Sequence, residues 1–187
     1  MRQAVRAVFL LVDDLFTRQA AGQLGVSGVW LQPVLMNARD KKLVSVMDYA
    51  KAITDLIDAG QTFISVDPQT LMAAHRLDGE VVGVNSGRRI RIAVRSLGGR
   101  HADINSHCRV AIVFLRGLWS TSSLELSDYA ATSALLRSLQ RERTGDYQSI
   151  LTVLDHHVDR RAFSVYLRQW ARGHFLRWPT HDPGPGQ

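Results

Sequence analysis

The sequence predicts an α/β N-terminal part followed by a mostly α-helical C-terminal extension. Three observations carry that prediction. The six-residue apolar run Ala7 to Val12 is short enough to be a buried parallel strand and ends on an acidic pair, Asp13-Asp14. Strand-like stretches recur at 26–30 and 63–66, separated by segments of helical spacing that stop at Gly25 and Gly60. Beyond Arg100 only helical periodicity remains.

In chain order, Val8 to Val12 reads as the first strand. A helix follows, with Phe16, Ala20, Ala21 and Leu24 on one side and Gly25 as its terminator. Val26 to Trp30 forms a second short strand, and a helix runs from Leu31 through Leu35 and Ala38 with Pro33 in its first turn. Ser45 caps the next helix, and Asp48 three residues on makes a weaker version of the capping box. Val46, Tyr49, Ile53, Leu56 and Ile57 form the apolar face of that helix. Phe63 to Val66 is extended. Asp67-Pro68 then opens a helix carrying Leu71, Met72, Ala74 and His75, with Asp67 as the N-cap.

Glycines and polar residues over 79–89 mark a boundary, giving an α/β part at 1–79 and a helical region at 80–178. After it, Ile90, Ile92 and Val94 alternate as a hairpin strand would. Ile90, Ala93, Val94 and Leu97 also fit a helix ended by Gly98-Gly99, and the helix is the favoured reading. Four further helical stripes follow: Val110, Val113, Phe114 and Leu118; Tyr129, Ser133, Leu136 and Leu139; Ile150, Val153, Leu154 and Val158; and Phe163, Tyr166, Leu167 and Trp170. The Pro/Gly-rich end, 179–187, is expected to be a disordered tail.

Composition narrows the function classes. With 45% apolar and 21% charged residues the chain can build a core. Its longest apolar runs, six residues each, are far below the roughly 20 needed to span a bilayer. No membrane association and a cytoplasmic location are therefore the expectation. The lone cysteine, Cys108, can form no internal disulfide and is expected to be a small buried side chain. The net charge of +6 comes from 20 Arg and 3 Lys against 17 acidic residues, a balance that favours polyanionic partners such as RNA.

Carboxylates at the C-terminal end of a parallel strand face the crevice where open α/β sheets place ligands. Two carboxylates about 4 Å apart repel by about 1 kcal/mol in water and roughly 4 kcal/mol at an effective dielectric of 20. A divalent cation relieves that repulsion and can activate water toward a phosphodiester. The alternative role is a helix cap, with Asp14 before Leu15 satisfying free backbone amides.

The run Val12-Asp13-Asp14, then Arg18, Ala20-Ala21, Leu24-Gly25-Val26 and Gly28, resembles the closing section of bacterial PIN-domain ribonucleases. The similarity continues through Leu35, Ala38, Leu43-Val44, Leu56 to Gly60 and Phe63 to Ser65, covering roughly 7–76. It departs where the family's Gly-Thr is Gly28-Val29 and where a family Gly is Lys42. The resemblance implies a PIN-like partial parallel sheet, with Asp13 and Asp14 as catalytic and metal-binding residues for Mg2+ or Mn2+ and RNA as substrate. In such a family an antitoxin is a common protein partner. The family's other acidic residues would lie upstream of Arg2, so the chain is expected to be N-terminally truncated and weakly active or inactive alone.

Other constellations were weighed on their spacing. His101, Asp103, His107 and Cys108 lie close in sequence but match no zinc motif, and Asp103 is better explained as an N-cap. Adjacent His156 and His157 point about 100° apart on a helix, so one half-buried and one exposed ring are expected. Arg88, Arg91 and Arg95 share one helix side and, with Arg18, are the candidate nucleic-acid contacts. A second arginine group, Arg137, Arg141, Arg143, Arg160, Arg161, Arg168 and Arg172, has Trp170 and Trp178 nearby, where bases can stack, although the aromatic spacing suits core packing better. The leading expectation is a metal-dependent ribonuclease module. The alternative is a non-catalytic helical module that binds protein or nucleic acid.

Overall fold

The structure, a computed structural model, describes residues 9–11, 15–79, 87–100, 103–121, 123–143 and 145–178. The chain divides into two compact units, Met1–Tyr49 and Ala50–Gln187.

In the first unit, β1 (Phe9–Leu11) and β2 (Ser27–Val29) pair in parallel, Phe9 opposite Ser27 and Leu11 opposite Val29. Helix α1 (Leu15–Gln23) connects them. It ends in a Schellman turn: Val26 N–H reaches the Ala21 carbonyl, Gly25 N–H the Gly22 carbonyl, and Gly25 takes φ +74°. Helix α2 (Leu31–Asp40) ends the same way, with Lys42 at φ 59° in the left-handed position. The buried Tyr49 ring carries the Arg39 guanidinium over its face at 4.6 Å and accepts a hydrogen bond from Gln32 Nε2 at 3.4 Å.

Helix α3 (Val46–Asp58) starts at Ser45, whose hydroxyl accepts from Asp48 N–H at 3.0 Å and donates to the Asp48 carboxylate at 2.6 Å. The sequence placed this cap correctly. The carboxylate meets the hydroxyl, whereas in a full capping box it would meet the Ser45 amide.

The second unit is helical among its described residues: α4 (Pro68–Gly79), α5 (Arg88–Ala93) running into a 3-10 turn (Val94–Ser96), α6 (Ile104–Leu118), α7 (Leu126–Gln140), α8 (Tyr147–Val158) and α9 (Arg161–Gly173). Helix α4 packs on α5 and α6, α6 on α7 and α8, and α8 on α9. The core holds Leu71, Phe114, Leu115, Leu135, Leu139, Leu151, Leu154, Phe163 and Leu167. Trp119 is the aromatic centre, with the rings of Tyr129, Phe163 and Tyr166 at 5.5, 5.4 and 5.3 Å.

The expected α/β, PIN-like partial parallel sheet is not the fold. Among the described residues the only strands are β1 and β2, three residues each, and the third expected strand at 63–66 is irregular. A strand needs a partner edge, and Phe63 takes φ 61°, which bends the chain out of extended conformation just where that strand would begin. The amphipathic faces of α3 to α9 build the core instead, so the chain is mostly helical.

The segment after the expected boundary is helical, as favoured, but only for Arg88–Ala93. Its N-terminus is capped by the buried Asp78 of α4, whose carboxylate accepts from Arg89 N–H at 2.9 Å and Ile90 N–H at 2.8 Å. Gly98 closes the segment at φ +83°. A Cβ there would meet the Ser138 carbonyl oxygen at 2.0 Å, so only glycine lets this turn sit on α7. The Ser138 hydroxyl stitches the same turn, donating to the Val94 and Leu97 carbonyls at 2.5 and 3.1 Å.

Candidate nucleic-acid interface

The first arginine cluster is engaged within the protein. Arg88 donates to Asp58 at 2.6 Å, and Arg95 lies 3.6 Å from the other oxygen of the same carboxylate. Arg89 donates to Asp55, to the Thr54 hydroxyl and to the Lys51 carbonyl at 3.0, 2.7 and 3.4 Å. Arg91 is exposed and folds back toward Gly87. The shared side expected for Arg88, Arg91 and Arg95 is thus split: Arg88 and Arg95 meet Asp58 of α3, which offsets part of their charge toward an external phosphate, while Arg91 stays on the exposed surface.

Asp13 and Asp14 lie outside the described residues, as does the side chain of Arg18. His101, residues 80–86 and residues 179–187 do too. Asp103 caps α6, accepting from Asn105 and Ser106 N–H at 3.0 and 3.2 Å, as expected. His107 Nδ1 accepts from Gly98 N–H at 2.8 Å, which fixes the neutral ring in place. Burial, reinforced by Arg143 and opposed by Asp103, lowers its pKa. Burial also pushes the Cys108 thiol up, in keeping with the small buried side chain expected. Both His156 and His157 are exposed, their rings 4.9 Å apart, so the half-buried member of that pair is not found. Among the described residues, no group of three His, Cys, Asp or Glu side chains could hold a metal ion.

Helix α9 differs from all of these. Phe163, Leu167, Trp170 and Ala171 recur at i, i+4, i+7 and i+8, and all are buried. Trp170 donates its indole N–H to Ser133 at 3.0 Å, and Tyr166 donates to the Tyr129 carbonyl at 3.1 Å, which locks the rotation of α9 against α7. Trp170 is thus a core residue, as its spacing indicated. With the apolar face turned in, Arg161, Val165, Arg168 and Arg172 fall within about 60° of arc on the solvent face. From 160 to 178 the chain holds five arginines and no acidic residue. Arg137 of α7 flanks this surface beside Tyr166, whose phenol is pushed up by burial against the lowering effects of Ser133 and Arg137.

The end of α9 presents aromatic surface. The Arg168 guanidinium lies over the Trp178 ring at 5.3 Å, and the His174 ring stacks on Trp170 at 4.1 Å. Phe175 is 97% exposed with φ +56°. The apolar stripe at Phe163, Tyr166, Leu167 and Trp170 does not extend to it: the helix runs through Gly173 and the left-handed turn falls two residues later.

No family model matches the chain, and neither a curated protein nor a solved structure matches it. The resemblance of 7–76 to PIN domains therefore rests on the sequence pattern alone. No helix among the described residues is long and apolar enough to cross a membrane.

Proposed function

We propose that this chain is a helical nucleic-acid-binding module whose phosphate-contacting surface is the solvent face of α9. The supporting observation is the arginine stripe Arg161, Arg168 and Arg172, in a stretch with no acidic residue to neutralise it. Arg161 to Arg172 span about 16 Å of helix, the length of about five nucleotides along one strand. Guanidinium groups suit phosphate because their planar donors match its oxygens in pairs.

Such binding releases counterions, so affinity falls linearly on a logarithmic salt scale, by about 0.7 in slope per neutralised phosphate of a single strand. Replacing Arg161, Arg168 and Arg172 together by Gln is expected to weaken RNA binding about 100-fold at low salt and to flatten the slope by about 2. Fluorescence anisotropy with labelled RNA at several salt concentrations measures both. A slope near zero in the unaltered chain would sink this reading.

Metal-dependent hydrolysis of RNA at Asp13 and Asp14 is the second reading. It is favoured by one observation, the parallel β1–α1–β2 crossover that the acidic pair follows in sequence after β1. Among the described residues no three His, Cys, Asp or Glu side chains form a ligand set for Mg2+ or Mn2+. The comparison to make is cleavage of single-stranded RNA with added Mg2+ or Mn2+ by the chain and by its Asp13→Asn/Asp14→Asn variant. Equal rates would dismiss hydrolysis at this pair.

A further inference from the structure

Among the described residues, four helices end in the same Schellman turn, with a residue in the left-handed conformation just past the helix. Glycine holds that position at Gly25 and Gly60, and Lys42 holds it after α2. After α9 the position is Phe175: its N–H reaches the Arg172 carbonyl at 3.0 Å and Leu176 N–H reaches the Ala171 carbonyl at 2.9 Å. A bulky aromatic residue is disfavoured at positive φ. Phe175 gains no packing in return, because its ring is almost fully exposed. Phe63 also combines a left-handed backbone with an exposed ring, and what sets Phe175 apart is its place next to the arginines of α9.

The surroundings identify the chemistry of that partner. Phe175 follows Arg172 by three residues and Arg168 by seven, and Arg177 and the Trp178 ring follow within three residues. Phosphates would lie along the arginine stripe while the aromatic end meets flat, uncharged groups. In a duplex the base faces are already stacked on one another, whereas a single strand offers them freely.

We propose that the end of α9 is a base-stacking platform, with Phe175 as its principal ring, and that it selects single-stranded nucleic acid over duplex. This rests on the nucleic-acid reading of the α9 face and narrows it. The arginines supply affinity without regard to strandedness, and Phe175 supplies the preference.

The test uses the full chain with a fluorescein-labelled oligouridylate of about 12 nucleotides and an RNA duplex of the same length. The oligouridylate is expected to bind about ten-fold more tightly than the duplex. Phe175→Gly is expected to keep the left-handed turn, with an unchanged or raised Tm as the check that the fold is preserved. The same variant is expected to lose about ten-fold in oligouridylate affinity with duplex affinity unchanged, and Phe175→Trp to retain the preference. Equal binding of both RNAs, unaltered by Phe175→Gly, overturns the single-strand inference and leaves the nucleic-acid reading standing. No binding of either RNA at about 50 mM salt overturns both. Displacement of RNA by polyglutamate at equal charge concentration also overturns both, in favour of an acidic protein partner.

Discussion

The segment 88–100 and helix α9 are both dense in arginine, yet they stand in opposite electrostatic surroundings. In the first, Asp55 and Asp58 of α3 take up Arg88, Arg89 and Arg95, the Thr54 hydroxyl and the Lys51 carbonyl add to Arg89, and these arginines fasten α5 to α3. In the second, the stretch 160–178 carries no acidic residue of its own, and an exposed aromatic ring stands at its end. Local arginine density therefore says little about what an arginine does. The deciding quantity is the charge brought opposite it, and residues some thirty positions away in the chain bring that charge.

The sharpest way to break this contrast is to detach the first segment from the core. Gly98→Ala places a methyl group against the Ser138 carbonyl and forces a left-handed alanine, so a loss of about 3 kcal/mol or more is expected. Urea unfolding followed by circular dichroism measures this, and a variant of unaltered midpoint would mean that the turn is not seated on α7. Asp78→Ala removes the buried cap of α5 and leaves two amides without a carboxylate partner. About 2 kcal/mol of destabilisation is expected by the same assay.

Acidification tests the join between the segment and α6. His107 has a lowered pKa in the folded chain, and taking up a proton at Nδ1 would break its bond to Gly98 N–H. The unfolded chain binds that proton near the ordinary histidine value of about 6.5, the folded chain only at lower pH. The contribution is thus complete above about pH 6.5 and declines as pH falls through the window below it. Urea midpoints at pH 8 and pH 5 should differ more for the unaltered chain than for His107→Gln.

The smallest effect is expected where the contrast is most direct. Arg88→Gln with Arg95→Gln removes exposed ion pairs to Asp58 and should cost less than about 1 kcal/mol. RNA affinity should stay within about two-fold, against the large loss expected on α9. A comparable loss of RNA binding from the two sets of substitutions would erase the distinction between the regions.

How legible each feature was depended on how local its cause is. The caps at Ser45, Asp67 and Asp103 involve amides two or three residues away, and all three were readable from sequence. The Asp78 cap on α5 was not, because its donors lie 11 and 12 residues on. The strand expected at 63–66 misled for the same reason: apolar residues in a row specify burial but supply no partner edge. Phe175 escaped notice because nothing in a stripe of apolar spacing reveals which residue will fall in the left-handed turn.

The sequence by itself determined the helix faces, the glycine terminators at Gly25 and Gly60 and the excess of arginine, since all three follow from spacing, backbone preference and charge over a few neighbouring residues. Only the tertiary structure decided that helices would build the core in place of a sheet, and which arginines would meet carboxylates. Both outcomes depend on surfaces distant in the chain being brought together, where an acidic residue from another helix can cancel a cation or leave it facing water.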